Sequence, residues 1–354
     1  MTRAGTWLLA AAIAASAQEP SGKSCAAGTA LEQLIQAGLK LSHDAKYDAA
    51  ADCYSKALAI NPKLGPIQLN LGLAEFKLGR FERAVGPFRA ALDLDPSSFQ
   101  ARTLLGMSYY GERQYALAAK TLAPAVDAQP DNASLRYILA QSCLWAGQYN
   151  EASKQFEWLL KKDPNSAETH ILLGEALDGL NHTDEAIAEF QAAATVSPNT
   201  PNVHFGLGFL YWKQHKDEEG EREFRQEIAR DPSNAKVWAY LGDVLLREEK
   251  PEEAAPALEK ALKLDAKLRL AHLDLGILLI AQKQYARAKK QLDEAIRLDP
   301  TKSDAHFQLA RMYRAEGLEK EARAELELLE KLKQTEKEDV LHRVSGPEPK
   351  LPER

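Results

Sequence analysis

Seven prolines divide this chain at a fixed interval. Pro62, Pro96, Pro130, Pro164, Pro198, Pro232 and Pro300 each stand 34 residues from the next, except that the last follows after 68, twice 34. Ala266 occupies the skipped position, inside "KLDAKL". The neighbouring words recur with the prolines, as in "LDLDPSS", "KKDPNSA" and "IRLDPTK". A period in this range excludes a string of unrelated domains and requires a repeat architecture.

With Leu31 as position 1 of the unit, each proline falls at position 32. Position 8 then reads Gly38, Gly72, Gly106, Ala140, Gly174, Gly208, Gly242, Gly276 and Ala310. Position 20 is Ala throughout except for Gly220. Two closely packed helices need small residues where their backbones approach, and each unit supplies one per helix. Position 7 is Leu in eight of nine units, and position 24 is large, as in Tyr54, Phe88, Phe156, Phe190 and Phe224. Positions 4, 7, 8 and 11 form one stripe at helical spacing, and 20, 24 and 27 form another. Turn residues such as "KLGRF" and "WAGQY" lie between them. Each unit therefore reads as two antiparallel helices, and one hairpin needs its neighbours to bury its faces.

This pattern resembles the tetratricopeptide repeat family in its length, the Leu-Gly pair at 7 and 8, Ala at 20 and Pro at 32. The resemblance implies an all-α, right-handed superhelical solenoid of about nine 34-residue helix-turn-helix repeats over 31–336. Departures are present. The family's aromatic at position 4 appears only as Trp238, and Pro87, Pro124 and Pro256 fall inside second helices, where kinks are expected.

The ends read differently. Residues 1–17, "MTRAGTWLLAAAIAASA", have a positive start, a short apolar run and small residues at the end. That order predicts a signal peptide cleaved after Ala17 and an exported protein, periplasmic or secreted. Residues 18–30 are expected to be a linker, and 337–354 a disordered charged tail. Cys25 lies just before the first helix and Cys53 in the second helix of the same unit, so a bond between them would staple the open N-terminal end. Three unpaired thiols, with Cys143, are the other reading.

The net charge of -6 and the lack of a basic stripe argue against nucleic-acid binding. No segment is long and apolar enough to suggest an integral membrane helix. His170, His204, His272 and His306 all occupy position 4, too far apart in successive units to share one ion, and read as packing residues. No catalytic, cofactor or metal constellation is expected, and the chain does not read as an enzyme.

In the resembled family, partner segments bind the concave face, which by helical spacing carries positions 2, 5, 9 and 12, with 13 at its edge. The candidates there are Leu69, Phe76, Met107, Tyr110, Tyr137, Trp145, Phe205, Phe209 and Trp212, with Leu73 and Leu144 beside them. Glu168, Glu175 and Asp178 supply acid in the fifth unit. The expected partner is a protein or peptide segment with apolar or aromatic anchors and a basic residue opposite those acids. The expected function is an exported interaction scaffold or chaperone-like adaptor. The alternative is an accessory subunit that positions the substrate of a separate envelope enzyme.

Overall fold

The computed structural model describes Cys25 and residues 28–345. The expected signal peptide and residues 18–24, 26 and 27 of the linker lie outside the described residues, as do 346–354. Among the described residues there are eighteen helices and no strand.

The helices form two compact units, one ending at His182 and one beginning at Thr183. The first holds α1 (Leu31–His43), α2 (Tyr47–Ile60), α3 (Gly65–Lys77), α4 (Phe81–Leu94), α5 (Phe99–Gly111), α6 (Tyr115–Ala128), α7 (Ala133–Trp145), α8 (Tyr149–Lys162) and α9 (Ala167–Gly179). The second begins with α10 (Thr183–Val196), α11 (Val203–Lys213), α12 (Asp217–Arg230), α13 (Ala235–Arg247) and α14 (Pro251–Leu264). It continues through α15 (Arg269–Ala281), α16 (Tyr285–Leu298), α17 (Asp304–Glu316) and α18 (Glu319–Ser345). Odd-numbered helices start within two residues of the position 1 expected from the period. The latest is α11, where Pro201 and a left-handed Asn202 (φ 67°) delay the start to Val203. Helices α4, α6 and α14 run through Pro87, Pro124 and Pro256 without ending.

The columns of the repeat have separate jobs. A Cβ on Gly38 would stand 2.5 Å from the Tyr54 ring, and one on Gly72 would stand 2.6 Å from Phe88. Position 8 is thus a socket for the side chain at position 24. The two backbones also approach here, since a Cβ on Gly220, at position 20, would be 3.5 Å from the carbonyl oxygen of Gly208, at position 8, and 3.7 Å from the Trp212 nitrogen. Tyr54, Phe88, Phe156 and Phe224 fill their sockets with no exposed surface.

The recurring Asp-Pro word is explained by hydrogen bonds. Asn61, Asp95, Asp163, Asp231, Asp265 and Asp299 each accept, through the side chain, the backbone N–H two residues on, at 2.9–3.2 Å. This local turn needs the acid or amide and does not need the proline. Asp265 makes it in front of Ala266, which is why the period survives the missing ring.

Position 4 then ties the turn to the next helix. Gln68, Arg102, Arg136, His170, Trp238 and His272 each bond the carbonyl oxygen of the residue at position 32, six places back, at 2.6–3.1 Å. Any side chain with a nitrogen donor of suitable reach serves, so the family's aromatic can be replaced. The histidines therefore do more than the packing expected of them. His204 and His306 instead bond Glu223 and Glu325 of the following helices at 2.7 and 2.6 Å.

Every turn within a hairpin places one residue in the left-handed region, always at position 15. These residues are Ala45, Gly79, Arg113, Gly147, Asn181, His215, Glu249, Lys283 and Gly317. Only three are glycine, so the other turns hold a conformation that L side chains rarely adopt.

One expectation for the ends is corrected, and one choice between readings is decided. Residues 337–345 are not a disordered tail but continue α18, a 27-residue helix. Its Glu, Lys, Leu and Ala content favours helix without burial. At the other end, of the two readings for the cysteines, the bonded one holds: Cys25 is bonded to Cys53 with Cα atoms 5.5 Å apart, and Lys56 donates to the Cys25 carbonyl oxygen. Cys143 is the free, buried thiol, and burial pushes its pKa up to about 12. Closing a loop with a sequence separation of 28 should stabilise the first hairpin by about 3 kcal/mol. Denaturing the unreduced protein should therefore expose one alkylatable thiol, and reduction should lower the unfolding midpoint. Three thiols labelled without reductant would contradict the bond.

Candidate partner-binding faces

In the first compact unit the odd-numbered helices bring aromatic and acidic side chains to one face. Tyr110 packs against Trp145, with ring centroids 5.5 Å apart, and both meet Tyr115, at 5.9 and 5.0 Å. Trp145 keeps 45% of its surface exposed. A chain of hydrogen bonds runs beside them. The Tyr110 hydroxyl donates to Gln141 at 2.6 Å, the Gln141 amide donates to Tyr137 at 3.2 Å, and Tyr137 donates to Glu168 at 2.7 Å. Desolvation, reinforced by the charges of Tyr115 and Glu168, lifts Tyr110 to about 12. Tyr137 is raised by desolvation and by its bond to Glu168. Both remain neutral donors at physiological pH, so the chain is a fixed brace across α5, α7 and α9.

The remaining candidates divide by access. Leu69, Phe76 and Tyr110 are half-buried and pack on the core around Phe88 and Tyr109. Phe76 also meets Phe81 edge-on at 5.2 Å. Met107 and Leu73 are half-buried, and Leu144 is 6% exposed and unavailable to a partner. Among the acids, Glu168 is already held by Tyr137, and Asp178 is half-buried with interactions of its own. Glu175 is exposed, yet surrounding protein desolvates its carboxyl and holds it above the usual range.

The second unit gathers a larger aromatic group. Tyr240 stands 6.0 Å from Phe205, 5.5 Å from Phe209, 5.0 Å from Trp212 and 5.9 Å from Phe224. Trp212 stacks on Phe209 at 5.6 Å and donates its indole N–H to Asp243. Arg247 lies 5.5 Å over the Trp212 ring and pairs with Asp217 and Asp243 at 3.0 and 3.1 Å. Trp212 is thereby locked into the unit. Above this group opens a pocket of about 300 Å³, lined by Phe205, Phe209, Lys236, Ala239, Tyr240, Leu268 and Leu270.

Of the predicted residues, the pocket uses only Phe205 and Phe209. Lys236 and Leu270 at position 2 and Ala239 at position 5 lie on the predicted stripe, but a search for aromatics and acids passes over them. Tyr240 stands at position 6, outside the stripe. The next residue in that column is Asp274 on α15. It is 2% exposed, and its Oδ2 finds no hydrogen-bond partner among the described residues.

Tetratricopeptide repeat profiles match residues 30–99, 109–176, 205–268, 245–297 and 279–341, and a further TPR repeat profile matches 180–214. The chain belongs to the tetratricopeptide repeat family. Repeats of this kind build scaffolds for protein and peptide partners. No curated protein matches the chain at a significant level. Among solved structures, the APC/C hetero-tetramer Cut9-Hcn1 is similar with a TM-score of 0.54 at 16% identity, over 85% of this chain and 73% of that one. A tetratricopeptide repeat protein from Parabacteroides merdae has a TM-score of 0.48 at 15% identity, over 70% of this chain and 98% of that one. YrrB, described as a TPR protein with an unusual peptide-binding site, has a TM-score of 0.43 at 21% identity, over 51% of this chain and 93% of that one. These likenesses concern the fold. Among the described residues no helix is long and apolar enough to cross a membrane.

Proposed function

We propose that this chain is an exported protein–protein interaction scaffold, or chaperone-like adaptor, whose odd-numbered helices capture partner segments on their open faces. The observation that carries this reading is Trp145. It is 45% exposed, and two tyrosines hold its ring in place. A rigid aromatic platform loses little conformational freedom when a partner lands on it. The exposed Glu175, on α9 of the same compact unit, favours a segment with a basic residue. Export is supported by the charge, apolar run and small residues of 1–17, and by a disulfide, which persists in oxidising compartments.

Site-specific photo-cross-linking in the cell of origin tests the reading. A photoreactive amino acid in place of Trp145 should yield a discrete adduct with a partner protein. The same group at Lys120, exposed on the second helix of its hairpin, should not. The adduct should carry an N-terminus at Gln18. Equal cross-linking at both positions, or none at 145, removes the face from consideration, and an adduct that retains Met1 removes export.

A further inference from the structure

The pocket on the second unit has a different chemistry from the acidic face of the first. Its walls are Phe205, Phe209, Ala239, Leu268 and Leu270, all apolar. Only two lining side chains carry polar atoms, the Lys236 ammonium and the Tyr240 hydroxyl, and both are hydrogen-bond donors at neutral pH. Burial raises the Tyr240 pKa, which keeps its proton in place. Neither donor has a hydrogen-bond or ion-pair partner among the described residues. Lys236 is exposed on the second residue of α13. The nearby carboxylate of Asp243 is taken up by Arg247 and the Trp212 N–H. A volume near 300 Å³ is at the lower end for a bound small molecule and suits one or two side chains.

We propose that this pocket receives an aromatic or large aliphatic side chain of a partner segment whose adjacent residue is Asp or Glu. The side chain fills the space over Phe205 and Phe209, and the carboxylate accepts from Lys236 and Tyr240. This rests on the scaffold reading and names a second, acidic class of partner segment for it. The unit-one face, which offers Glu175, would select the opposite charge.

The test uses the full chain and four fluorescently labelled peptides followed by polarisation. Three are capped at both ends, GSGFDGSG, GSGFKGSG and GSGADGSG, and the fourth, GSGSGSGF, has a free terminal carboxylate. The Phe-Asp peptide should bind saturably. Replacing its Phe by Ala should weaken binding at least about tenfold. Replacing its Asp by Lys should weaken binding about fivefold. In Lys236→Glu, an exposed change that leaves the core untouched, the order of the Asp and Lys peptides should invert. An Asp preference that persists in Lys236→Glu overturns the proposal, as does the absence of saturable binding. Tighter binding of GSGSGSGF would overturn it in favour of a chain-terminus site. The cross-link at position 145 is read on the other unit, so either result can fail without the other.

Discussion

Replacing Gly72 by Leu should unfold the hairpins around α3 and α4 while leaving the second compact unit folded. The Cβ alone would meet the Phe88 ring at 2.6 Å, and Phe88 is fully buried against the core and cannot withdraw. Overpacking of this kind costs about 1–3 kcal/mol, and a whole isobutyl group in the socket should reach the upper end or beyond. Gly72→Ala should be much milder, near 1 kcal/mol, because Ala140 already faces a fully buried Phe156 in the same columns. Stability in repeat arrays is passed between neighbours, so damage in α3 and α4 stays near them. Urea unfolding followed by circular dichroism should become biphasic in Gly72→Leu. A single transition within about 0.5 kcal/mol of wild type would show that the glycine column is not a socket.

Asp274→Asn should stabilise the protein at neutral and alkaline pH, with the gain growing as pH rises. Burial raises the Asp274 pKa well above its usual value, the neighbouring charges of Asp243 and Asp304 add to this, and Arg247 and Arg269 only partly oppose it. The native state therefore keeps a proton that the unfolded chain releases above about pH 4. Because the native state then binds more protons, its stability falls as pH rises from about 4 through the raised native pKa. Asn cannot ionise in either state, so the variant lacks that slope. The difference between variant and wild type should be smallest near pH 4 and grow as pH rises toward 8. Thermal unfolding of both proteins at several pH values measures it. A constant difference across the range would mean that Asp274 is ionised in the folded protein or hydrogen-bonded to water.

Asp274 and Tyr240 share position 6, and their fates show where reading a sequence in columns stops. In α13 that position looks into the pocket beside Phe205 and Phe209. In α15 it is sealed among Asp243, Arg247, Arg269 and Asp304. The columns are the same, and the difference lies in what the adjacent helices present. The same applies to the predicted face. Leu144 and Trp145 are consecutive residues on that stripe, yet one is 6% and the other 45% exposed. Glu168 was legible as an acid on an open helix, but its bond to Tyr137 depends on two helices meeting side by side.

The hairpins, their approximate number and most helix starts were legible in the repeat, while the late start of α11 and the extension of α18 to Ser345 were not. The hairpins follow from local physics repeated at a fixed period: an Asp or Asn that closes six of the turns between hairpins, and a small socket at position 8 facing a large residue at position 24. The sequence also marked position 4 as special, although the reason, a donor to the turn six residues back, became visible only in the fold. Only the packing of neighbouring helices set which stripe residues a partner can touch, that Lys236 stands unpaired beside an apolar pocket, and that burial raises the Asp274 pKa. Accessibility and ionisation are set by neighbours one unit away in space, whose contacts differ from repeat to repeat even where the columns agree.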